Sequence, residues 1–589
     1  MRDFLKNVLA TLVALFICGI ISFVLFLFVI GFIAGASTDT FTLKENTVLN
    51  LKLDGILKDR VPTKNPIYEI LQMSETSDIG LDDILQAIKK AKENDNIKGI
   101  YIQTGMFSAS TASLKEMRDA LVDFKESGKF IVAYSDTYTQ GCYYLSSIAD
   151  KVILNPQGNL DFHGISASST FYKGLLEKVG VEMQIFKVGT YKSAVEPYIT
   201  NKMSDANKEQ VTSFANDIWN GVLKEISDSR HISTEQLNAL ADTLTMLQDQ
   251  KMLVESKMVD TLMYQTDVNK YLKTLVGIEQ DKKLALAGID DMTSVPLLKE
   301  SKSKDQIAVL YAEGSIMSGS PSTTDFTDIY AESLIKEIEK LKENKDVKAV
   351  VFRVNSPGGS AYASEQIWKA VSDLKAKKPV VVSMGDYAAS GGYYISCNAT
   401  KIIAQPNTLT GSIGIFGMFP NVEGLTNKLG LTFDNVKTNK YADFGDITRP
   451  MREDEKRILQ AYIERGYDLF LTRCSDGRGI AKDSLNLIAQ GRVWTGNQAL
   501  KIGLVDGIGG ISKAIKEAAV LANLKDFSTR DYPRKVDFFE TILNTSKEEL
   551  TAQAVKEYLG TDYNLIKTMK QINSRDYIQA VIPYNIEVK

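Results

Sequence analysis

AKENDNIKGIYI at residues 91–102 is matched by LKENKDVKAVVF at residues 341–352, an offset of 250, so the chain contains an internal repeat. The same offset is kept further along the chain, where it pairs Asp136 with Asp386, Tyr143 with Tyr393, Ala149 with Ala399, Pro156 with Pro406 and Gly164 with Gly414. Beyond these positions the offset becomes 248, and Arg230 meets Arg478. A repeat of this length indicates the overall architecture even before individual helices and strands are assigned. The 589 residues therefore predict two copies of one unit of ~250 residues.

The repeat divides the chain into four predicted parts. An N-terminal transmembrane anchor covers 1–38, the first copy covers 46–300 and the second copy covers 301–525. The Lys- and Ser-rich stretch at 298–306 is the predicted linker between the copies. The tail at 526–589 has no partner in the repeat, and its role cannot be inferred from the sequence.

Each copy alternates strand and helix patterns. IAVLYAEG, KAVVFRVN and PVVVSMG are short apolar, β-branched runs typical of buried strands. SLIKEIEKLKEN and SEQIWKAVSDLKAKK carry apolar residues at the i, i+3, i+4 spacing of amphipathic helices. Strands separated by helices of this length predict parallel βα units, so each copy is expected to have an α/β fold.

The N-terminus predicts a membrane anchor. No charged residue occurs between Asn7 and Thr38, and this apolar stretch exceeds the ~20 residues that span a bilayer. A cleaved signal peptide is the alternative, since 34–36 resembles a cleavage site, but its apolar region should be only ~7–15 residues long. Arg2 and Lys6 precede the helix and Asp39 follows it, which predicts a cytoplasmic N-terminus and an extracytoplasmic body.

Composition restricts the chemistry. The 69 Lys and Arg against 73 Asp and Glu argue against a nucleic-acid binder that depends on an overall basic surface. The two histidines, His163 and His231, are too few for a His-rich metal site, and neither has a matching His in the other copy. The four cysteines show no CxxC spacing, so neither a zinc ribbon nor a disulfide framework is predicted. Acid–base chemistry is therefore expected to rest on Lys or a carboxylate, without a metal or cofactor.

The two copies differ where chemistry is expected. After the strand VVFRV the second copy has NSPGGS at 355–360, where the first has GMFSAS at 105–110. Adjacent glycines let backbone amides approach a ligand closely, although Pro-Gly-Gly is more often only a turn. Ser390 lies in the small-residue turn of DYAASGGYY at 386–394, where the first copy has Gln140. A Ser at a strand-to-helix turn has an exposed hydroxyl, although a small residue there can also serve packing alone.

A third difference runs in the opposite direction and concerns a lysine. With the offset of 250, Lys192 of the first copy is matched by Ala442, so the second copy has lost this Lys. With the offset of 248, Lys192 is matched by Lys440, which keeps Lys440 as a rival candidate. For either Lys, an ordinary surface position is the plain alternative.

Several motifs together resemble the signal peptide peptidase A family of bacteria in its long, duplicated, membrane-anchored form, from about residue 45 to residue 525. They are GTYKSAVEP (189–197), RVNSPGGS (353–360), MGDYAASGGYYIS (384–396), LTGSIGIFG (409–417) and GRVWTGNQALKIGLVD (491–506). The resemblance implies two tandem Clp-protease/crotonase-like ββα-repeat domains and a serine protease with a Ser-Lys dyad.

Residue roles follow from the resemblance, motif by motif. Ser390 matches the nucleophile, Lys192 the general base, and Ser412 a hydroxyl that orients the lysine. The amides of Gly359 and Gly391 match the oxyanion hole, with Gly358 as an alternative donor. Ala442 matches the position of the lost base, which favours Lys192 over Lys440. Tyr387 departs from the family pattern, in which a smaller residue often stands, and this concerns the pocket rather than catalysis.

The resemblance also implies an activity and an assembly. It implies a homotetramer at the extracytoplasmic, periplasmic face of the cell membrane that degrades cleaved signal peptides and other short hydrophobic peptides. Two alternatives remain at this point: a degenerate peptidase that binds peptides as a membrane-anchored scaffold, and a crotonase-type acyl-CoA enzyme. An extracytoplasmic site has no supply of CoA, which disfavours the latter. Peptides and membrane lipid are the expected partners, and no nucleic acid is expected.

Overall fold

The computed structural model of the chain describes residues 2–36, 41–61, 78–298, 301–320, 328–535 and 578–582. The strands of the N-terminal half are β1 (Thr47–Lys58), β2 (Ile79–Gly80), β3 (Ile97–Ser108), β4 (Phe130–Tyr138), β5 (Lys151–Leu160), β6 (Glu182–Lys187), β7 (Thr261–Leu262) and β8 (Leu286–Ala287). After the N-terminal helix α1 (Arg2–Ala36), its helices are α2 (Leu81–Glu93), α3 (Thr111–Lys125), α4 (Gln140–Ser146), α5 (Lys173–Val179), α6 (Glu196–Ile199), α7 (Asp205–Arg230), α8 (Thr234–Ala241), α9 (Gln250–Glu255), α10 (Gln265–Val276) and α11 (Ile289–Ser294).

The C-terminal half and the tail provide the remaining elements. The strands are β9 (Gln306–Glu313), β10 (Ile316–Met317), β11 (Ile329–Tyr330), β12 (Val347–Ser356), β13 (Gly358–Ser360), β14 (Val380–Ala389), β15 (Lys401–Ala404), β16 (Leu409–Gly411), β17 (Phe416–Asn421), β18 (Val493–Thr495), β19 (Gly507–Ile508), β20 (Ser528–Tyr532) and β21 (Ile578–Val581). The helices are α12 (Ala331–Glu343), α13 (Ala361–Lys375), α14 (Gly391–Ser396), α15 (Glu423–Lys428), α16 (Glu453–Arg478), α17 (Lys482–Ile488), α18 (Gly496–Lys501) and α19 (Ile511–Leu521).

Each half is built on its own sheet, which is parallel in the N-terminal half and parallel except for the antiparallel edge strand β18 in the C-terminal half. The N-terminal sheet has the order β2-β1-β3-β4-β5-β7, with β8 beside β1. The C-terminal sheet has the order β18-β16-β14-β12-β9-β20, with β15 between β14 and β19. Its central strands are almost entirely buried because helices cover both faces, which explains their continuous apolar sequences. The predicted α/β fold is therefore confirmed.

The structure repeats at the offsets read from the sequence. β3 and β12 begin 250 residues apart, as do α3 and α13 and also β4 and β14. The long helices α7 and α16 begin 248 residues apart. The strand β20 lies beyond the predicted boundary at residue 525 and pairs with β9, so the tail contributes an edge strand to the second sheet.

A third sheet joins the two halves. Its order is β11-β10-β13-β21-β17-β6, and β6 is its contribution from the N-terminal half. The strand β6 runs antiparallel to β17, with Lys187 opposite Phe416. This pairing fixes the loop that follows β6 against the C-terminal half.

A buried ion network also holds the halves together. The guanidinium of Arg353 lies 2.8 Å from a carboxylate oxygen of Asp59 and 2.9 Å from one of Glu116, both from the N-terminal half. Asp386 accepts hydrogen bonds from the amide and the hydroxyl of Ser113, each 2.8 Å long. Burial of these charges is costly unless each has a partner, so the network ties the two halves in one arrangement.

The predicted membrane anchor lies at α1. Among the residues that the structure describes, no helix was found to combine the length and the apolar character needed to cross a membrane. Residues 1 and 37–40 lie outside the described residues. The anchor at 1–38 stays a prediction.

Candidate active site

Ser390 occupies a sharp turn between a strand and a helix. It follows the last residue of β14 and precedes the first residue of α14. Its backbone has φ 55° and ψ −113°, a conformation that a residue with a side chain adopts only when its surroundings enforce it. The Ser390 amide donates to the carbonyl of Gly411 at 2.8 Å, which holds the turn against β16. The hydroxyl is thereby presented at the end of the sheet.

Lys192 reaches the same place from the other half of the chain. It lies in the loop after β6, whose pairing with β17 delivers the loop to the C-terminal half. The Tyr191 amide donates to the carbonyl of Gln490 at 3.0 Å. The side-chain amide of Gln210, on α7, donates to the Tyr191 carbonyl at 3.1 Å and to the Ser193 hydroxyl at 3.0 Å. The backbone on both sides of Lys192 is therefore fixed.

The structure brings Ser390, Lys192 and Ser412 together. Lys192 Nζ lies 2.8 Å from Ser390 Oγ, 3.1 Å from Ser412 Oγ and 3.3 Å from the Ser412 carbonyl oxygen. The exposed fractions are 0% for Ser390 and 1% for both Lys192 and Ser412. The three groups form one enclosed hydrogen-bonded cluster.

The enclosure changes the acidity of the lysine. Burial lowers the pKa of Lys192 from 10.5 to about 7, because the desolvated ammonium is less stable than the neutral amine. The neighbours of Nζ in the cluster are neutral oxygens, so no carboxylate among them offsets this effect. An amine whose pKa lies near 7 is partly neutral at that pH, and its neutral form can accept a proton.

Lys440, the rival candidate, lies elsewhere. Its Nζ is 2.5 Å from a carboxylate oxygen of Asp454, and 66% of its side chain is exposed. The hydrogen bond that Lys440 donates to Asp454 raises the pKa of Lys440 and keeps it charged. The geometry thus places Lys192, and not Lys440, beside Ser390.

The predicted glycines lie side by side next to Ser390. A Cβ built on Gly391 would stand 3.1 Å from the Cα of Gly358 and 3.1 Å from the amide nitrogen of Gly359. The Gly358 amide donates to the hydroxyl of Ser356 at 3.2 Å. The Gly358 amide, which is the alternative donor, is therefore already engaged. The amides of Gly359 and Gly391 remain the pair predicted to stabilise an oxyanion.

The matched position in the N-terminal half has a structural role instead. Gln140, which stands in place of Ser390, is buried, and its side-chain oxygen accepts from the amides of His163 and Gly164 at 3.0 and 2.9 Å. Its side-chain nitrogen donates to the Gly164 carbonyl at 3.1 Å. The glutamine thus ties down the loop that corresponds to the Ser412 loop.

Sequence reasoning assigned no role to Gly491, although the motif at 491–506 contains it. Gly491 has φ +79°, and a Cβ on it would stand 2.7 Å from the Cα, the Cβ and the amide nitrogen of Lys192. Only a glycine leaves room for the lysine backbone here. The strand at 578–581 was also missed, because the tail has no partner in the repeat that would have indicated its place.

Metal chemistry finds no ligand set here. Among the residues that the structure describes, no group of three or more His, Cys, Asp or Glu side chains is arranged to hold a metal ion.

Comparisons with known proteins match segments in both halves of the chain. The family model described as "Peptidase family S49" matches residues 123–279 and 372–525, one segment in each half, and the model described as "Clp protease" matches 298–410. The chain is 36% identical to "Protease 4" of Haemophilus influenzae over 574 residues, covering 92% of this chain and 91% of that protein. It is 36% identical to "Protease 4" of Salmonella typhi, covering 87% and 84%. It is 30% identical to "Serine protease SPPA, chloroplastic" of Arabidopsis thaliana, covering 91% and 78%.

Proposed function

The chain belongs to peptidase family S49 and is a serine protease of the duplicated signal peptide peptidase A type, and on this basis we propose that Ser390 is its nucleophile and Lys192 its general base. The observation that carries this proposal is the 2.8 Å separation between Lys192 Nζ and Ser390 Oγ in an enclosed site. General-base catalysis requires hydrogen-bond reach first and a suitable pKa second. A lysine whose pKa is lowered to about 7 meets the second requirement.

The chemistry follows from the proton positions. Neutral Lys192 takes the proton of Ser390 Oγ while this oxygen bonds to the carbonyl carbon of the substrate. The amides of Gly359 and Gly391 stabilise the negative charge that develops on the carbonyl oxygen. Lys192 then returns the proton to the leaving nitrogen as the carbon–nitrogen bond breaks, which leaves an ester on Ser390. Water, deprotonated by Lys192, hydrolyses the ester and frees the enzyme.

Ser412 is proposed as the group that orients the base. A neutral amine has two N–H donors and one lone pair. Nζ has three oxygen neighbours: the Ser390 hydroxyl and, at 3.1 and 3.3 Å, the Ser412 hydroxyl and carbonyl. When Ser412 accepts both N–H groups, the lone pair of Lys192 is left facing Ser390. Ser412 thereby selects the one rotation of the amine that can accept the proton.

Short hydrophobic peptides, including cleaved signal peptides, are the proposed substrates. Two apolar clusters flank the dyad: Leu409 and Val493 pack with Ala389, the residue before Ser390, and Val195 packs with Ala194 and Phe416. The apolar stretch between Asn7 and Thr38 supports an anchored protein whose body lies outside the cytoplasm. Digestion of the body by protease added to intact spheroplasts would support an extracytoplasmic location of the body. Protection of the body would contradict it.

A ring of four chains is the proposed assembly. β6 of one half pairs with β17 of the other, and the offset of 250 gives matching segments at 432–437 and 166–171. These two segments form no strand in the described structure, and Phe433 and Val436 are 57% and 98% exposed. A head-to-tail pairing between chains would bury them, and we propose that the rotation between neighbouring chains closes this contact into a ring. The number four rests on the resemblance to the duplicated family.

Light scattering tests the assembly. The wild-type chain is expected at the mass of a tetramer, and the double variant Phe433→Asp, Val436→Asp at the mass of a monomer. An oligomer that survives both charges would contradict the proposed contact.

Active-site labelling combined with hydrolysis tests the catalytic assignment. A fluorophosphonate is expected to label Ser390, and the chain is expected to cleave a fluorogenic hydrophobic peptide. The variant Ser390→Ala should do neither. A chain that binds the peptide with neither labelling nor hydrolysis would support the non-catalytic scaffold instead.

A further inference from the structure

The side chain of Gln210 joins the lysine loop to the C-terminal half. Gln210 lies on α7 and is 1% exposed. Its amide nitrogen donates to the Tyr191 carbonyl at 3.1 Å and to the Ser193 hydroxyl at 3.0 Å, one residue on each side of Lys192. Its amide oxygen accepts from the backbone amide of Val493, on β18, at 3.1 Å. One buried side chain therefore bridges the loop that carries Lys192 and a strand of the other half.

The strand that Gln210 reaches also holds Ser412. The Ser412 amide donates to the carbonyl of Arg492 at 2.7 Å, and Arg492 directly precedes Val493 in the chain. Val493 itself lies opposite Gly411, the residue before Ser412, in the antiparallel pairing of β16 with β18. Gln210 thus links the general base and the hydroxyl proposed to orient it through one short series of hydrogen bonds.

The two backbone groups that Gln210 bridges need opposite partners. The Tyr191 carbonyl only accepts hydrogen bonds, and the Val493 amide only donates them. A side-chain amide provides both a donor and an acceptor, whereas a carboxylate only accepts and an aliphatic side chain does neither. Leaving a buried backbone group without a partner is costly. A long side-chain amide at residue 210 meets both needs at once.

A buried network fixes the orientation of this amide. The side-chain nitrogen of Gln210 also donates to the side-chain oxygen of Asn207 at 3.2 Å. The side-chain nitrogen of Asn207 donates to the carboxylate of Glu196 at 2.9 Å, and this carboxylate accepts from the Ser204 hydroxyl at 2.6 Å. Asn207 and Glu196 are 3% and 4% exposed. Because Glu196 belongs to the same motif as Lys192, the network connects both ends of that motif to the start of α7.

The copy of the repeat that lacks the lysine also lacks the glutamine. The long helices α7 and α16 match with the offset of 248, which places Ile458 at the position of Gln210. Ile458 is 54% exposed, and its side chain can neither donate nor accept a hydrogen bond. Gln210 therefore accompanies the copy that supplies the base.

A general base must be held accurately, since a misplacement of ~1 Å can lower a rate by about 10²-fold. We propose that Gln210 is a positioning residue of the reaction: by tying the loop of Lys192 to the strand that holds Ser412, it keeps the amine enclosed beside Ser390. Gln210 acts through the backbone on both sides of the lysine. This proposal rests on the proposed roles of Ser390 and Lys192.

The variant Gln210→Met tests the role, because methionine keeps the length of the side chain and removes its donor and acceptor. We expect kcat for a fluorogenic hydrophobic peptide to fall about 10²-fold, with KM changed by less than about twofold. Loosening of the loop also lets water reach Lys192 Nζ and stabilise the ammonium. The pH midpoint of Ser390 labelling by a fluorophosphonate should therefore rise from about 7 by about one pH unit.

The matched control is Gln498→Met. The side chain of Gln498 accepts from the Thr495 amide at 3.2 Å and donates to the hydroxyl of Ser213, on α7, at 3.1 Å. It is thus a second glutamine bridge between α7 and the C-terminal half, and its contacts lie outside the lysine loop. Gln498→Met is expected to keep the kcat and the labelling midpoint of the wild type.

Two outcomes overturn the proposal: equal kcat values for Gln210→Met and Gln498→Met, or a labelling midpoint of Gln210→Met that stays at the wild-type value. If Gln210→Met shows no cooperative thermal transition, Gln210→Asn decides by the same two readouts, because its shorter side chain cannot span both partners. Labelling that is lost in Lys192→Ala but unchanged in the Gln210 variants overturns only the positioning role. Labelling that is unchanged in Lys192→Ala overturns the assignment of the base as well.

Discussion

Lys192 Nζ and Ser390 Oγ lie 2.8 Å apart although 198 residues separate them in the chain. The two residues belong to different copies of the repeat, and each copy lacks the other member: Gln140 stands in place of the serine and Ala442 in place of the lysine. The candidate site therefore exists only where the halves pack together. Neither half is expected to hydrolyse peptides alone.

Removal of either member of the pair should abolish activity. Ser390→Ala removes the nucleophile and Lys192→Ala removes the proton acceptor, so each is expected to lower kcat/KM by at least ~10³-fold. Lys440→Ala is the matched control and should be mild, because Lys440 is exposed and paired with Asp454. Hydrolysis of a fluorogenic peptide measures all three. Near-normal turnover by Lys192→Ala, together with loss of activity in Lys440→Ala, would favour the rival lysine.

Activity should rise with pH through about 7. Burial lowers the pKa of Lys192 to about 7, and only its neutral form accepts the proton of Ser390. The logarithm of kcat/KM is expected to climb with a slope of one below this pH and to level off above it. A rise that continues toward pH 10 would indicate a lysine with an ordinary pKa.

The carboxyl group of Glu313 provides the control for this profile. Burial, together with the charge of Asp59, raises the pKa of Glu313 to about 8, so it titrates in the same range. Glu313→Gln removes that titration and is expected to leave the midpoint of the profile in place. A midpoint that moves with this substitution would assign the titration to the interface between the halves rather than to Lys192.

Lys192 should reduce the stability of the fold. Its folded pKa of about 7 lies below its ordinary 10.5, so between these values the unfolded chain binds a proton that the folded chain does not. The folded state therefore loses stability as the pH falls from 10.5 to 7, and the loss is complete below 7. Lys192→Met should raise the free energy of unfolding by on the order of 5 kcal/mol at most. Thermal unfolding should show a larger gain in Tm at pH 6 than at pH 9, and equal gains would contradict the buried neutral lysine.

The sequence was enough to predict the repeat and the α/β fold, because the matched copies indicate both. The roles of Ser390 and Lys192 came from the resemblance to the family, which favoured Lys192 over Lys440, and the structure brings these two side chains within hydrogen-bond reach.

The sequence could not reveal contacts that have no counterpart in the other copy. The ion pair of Arg353 with Asp59 joins residues 294 positions apart, and the sequence around either residue does not indicate its partner. The strand Ile578–Val581 is four residues long, too short to show a pattern, and its place is set by the edges of β13 and β17.

Loss of Arg353 should separate the halves. Arg353→Met leaves the buried carboxylates of Asp59 and Glu116 without their cation, which typically costs about 3–5 kcal/mol. We expect earlier urea unfolding and a parallel loss of peptide hydrolysis, because Lys192 and Ser390 come from different halves. Lys401→Met, which breaks a half-exposed pair with Glu517, should cost at most about 1 kcal/mol. Equal effects of the two substitutions on unfolding and hydrolysis would contradict the role of the Arg353 ion network in holding the halves together.

The backbone of Lys192 packs directly against Gly491. Both Gly491, at φ +79°, and Gly479, at φ +64°, have a backbone that disfavours a side chain, so alanine should cost each roughly 1 kcal/mol. Only at Gly491 would the new Cβ stand 2.7 Å from the backbone of Lys192, while the space around Gly479 is open. Gly491→Ala must therefore shift the lysine, and a misplacement of ~1 Å can lower the rate by about 10²-fold. Gly479→Ala should lose only the stability that its backbone strain costs and keep its kcat/KM. A similar loss of activity in both variants would mean that this strain, and not the position of Lys192, limits the reaction.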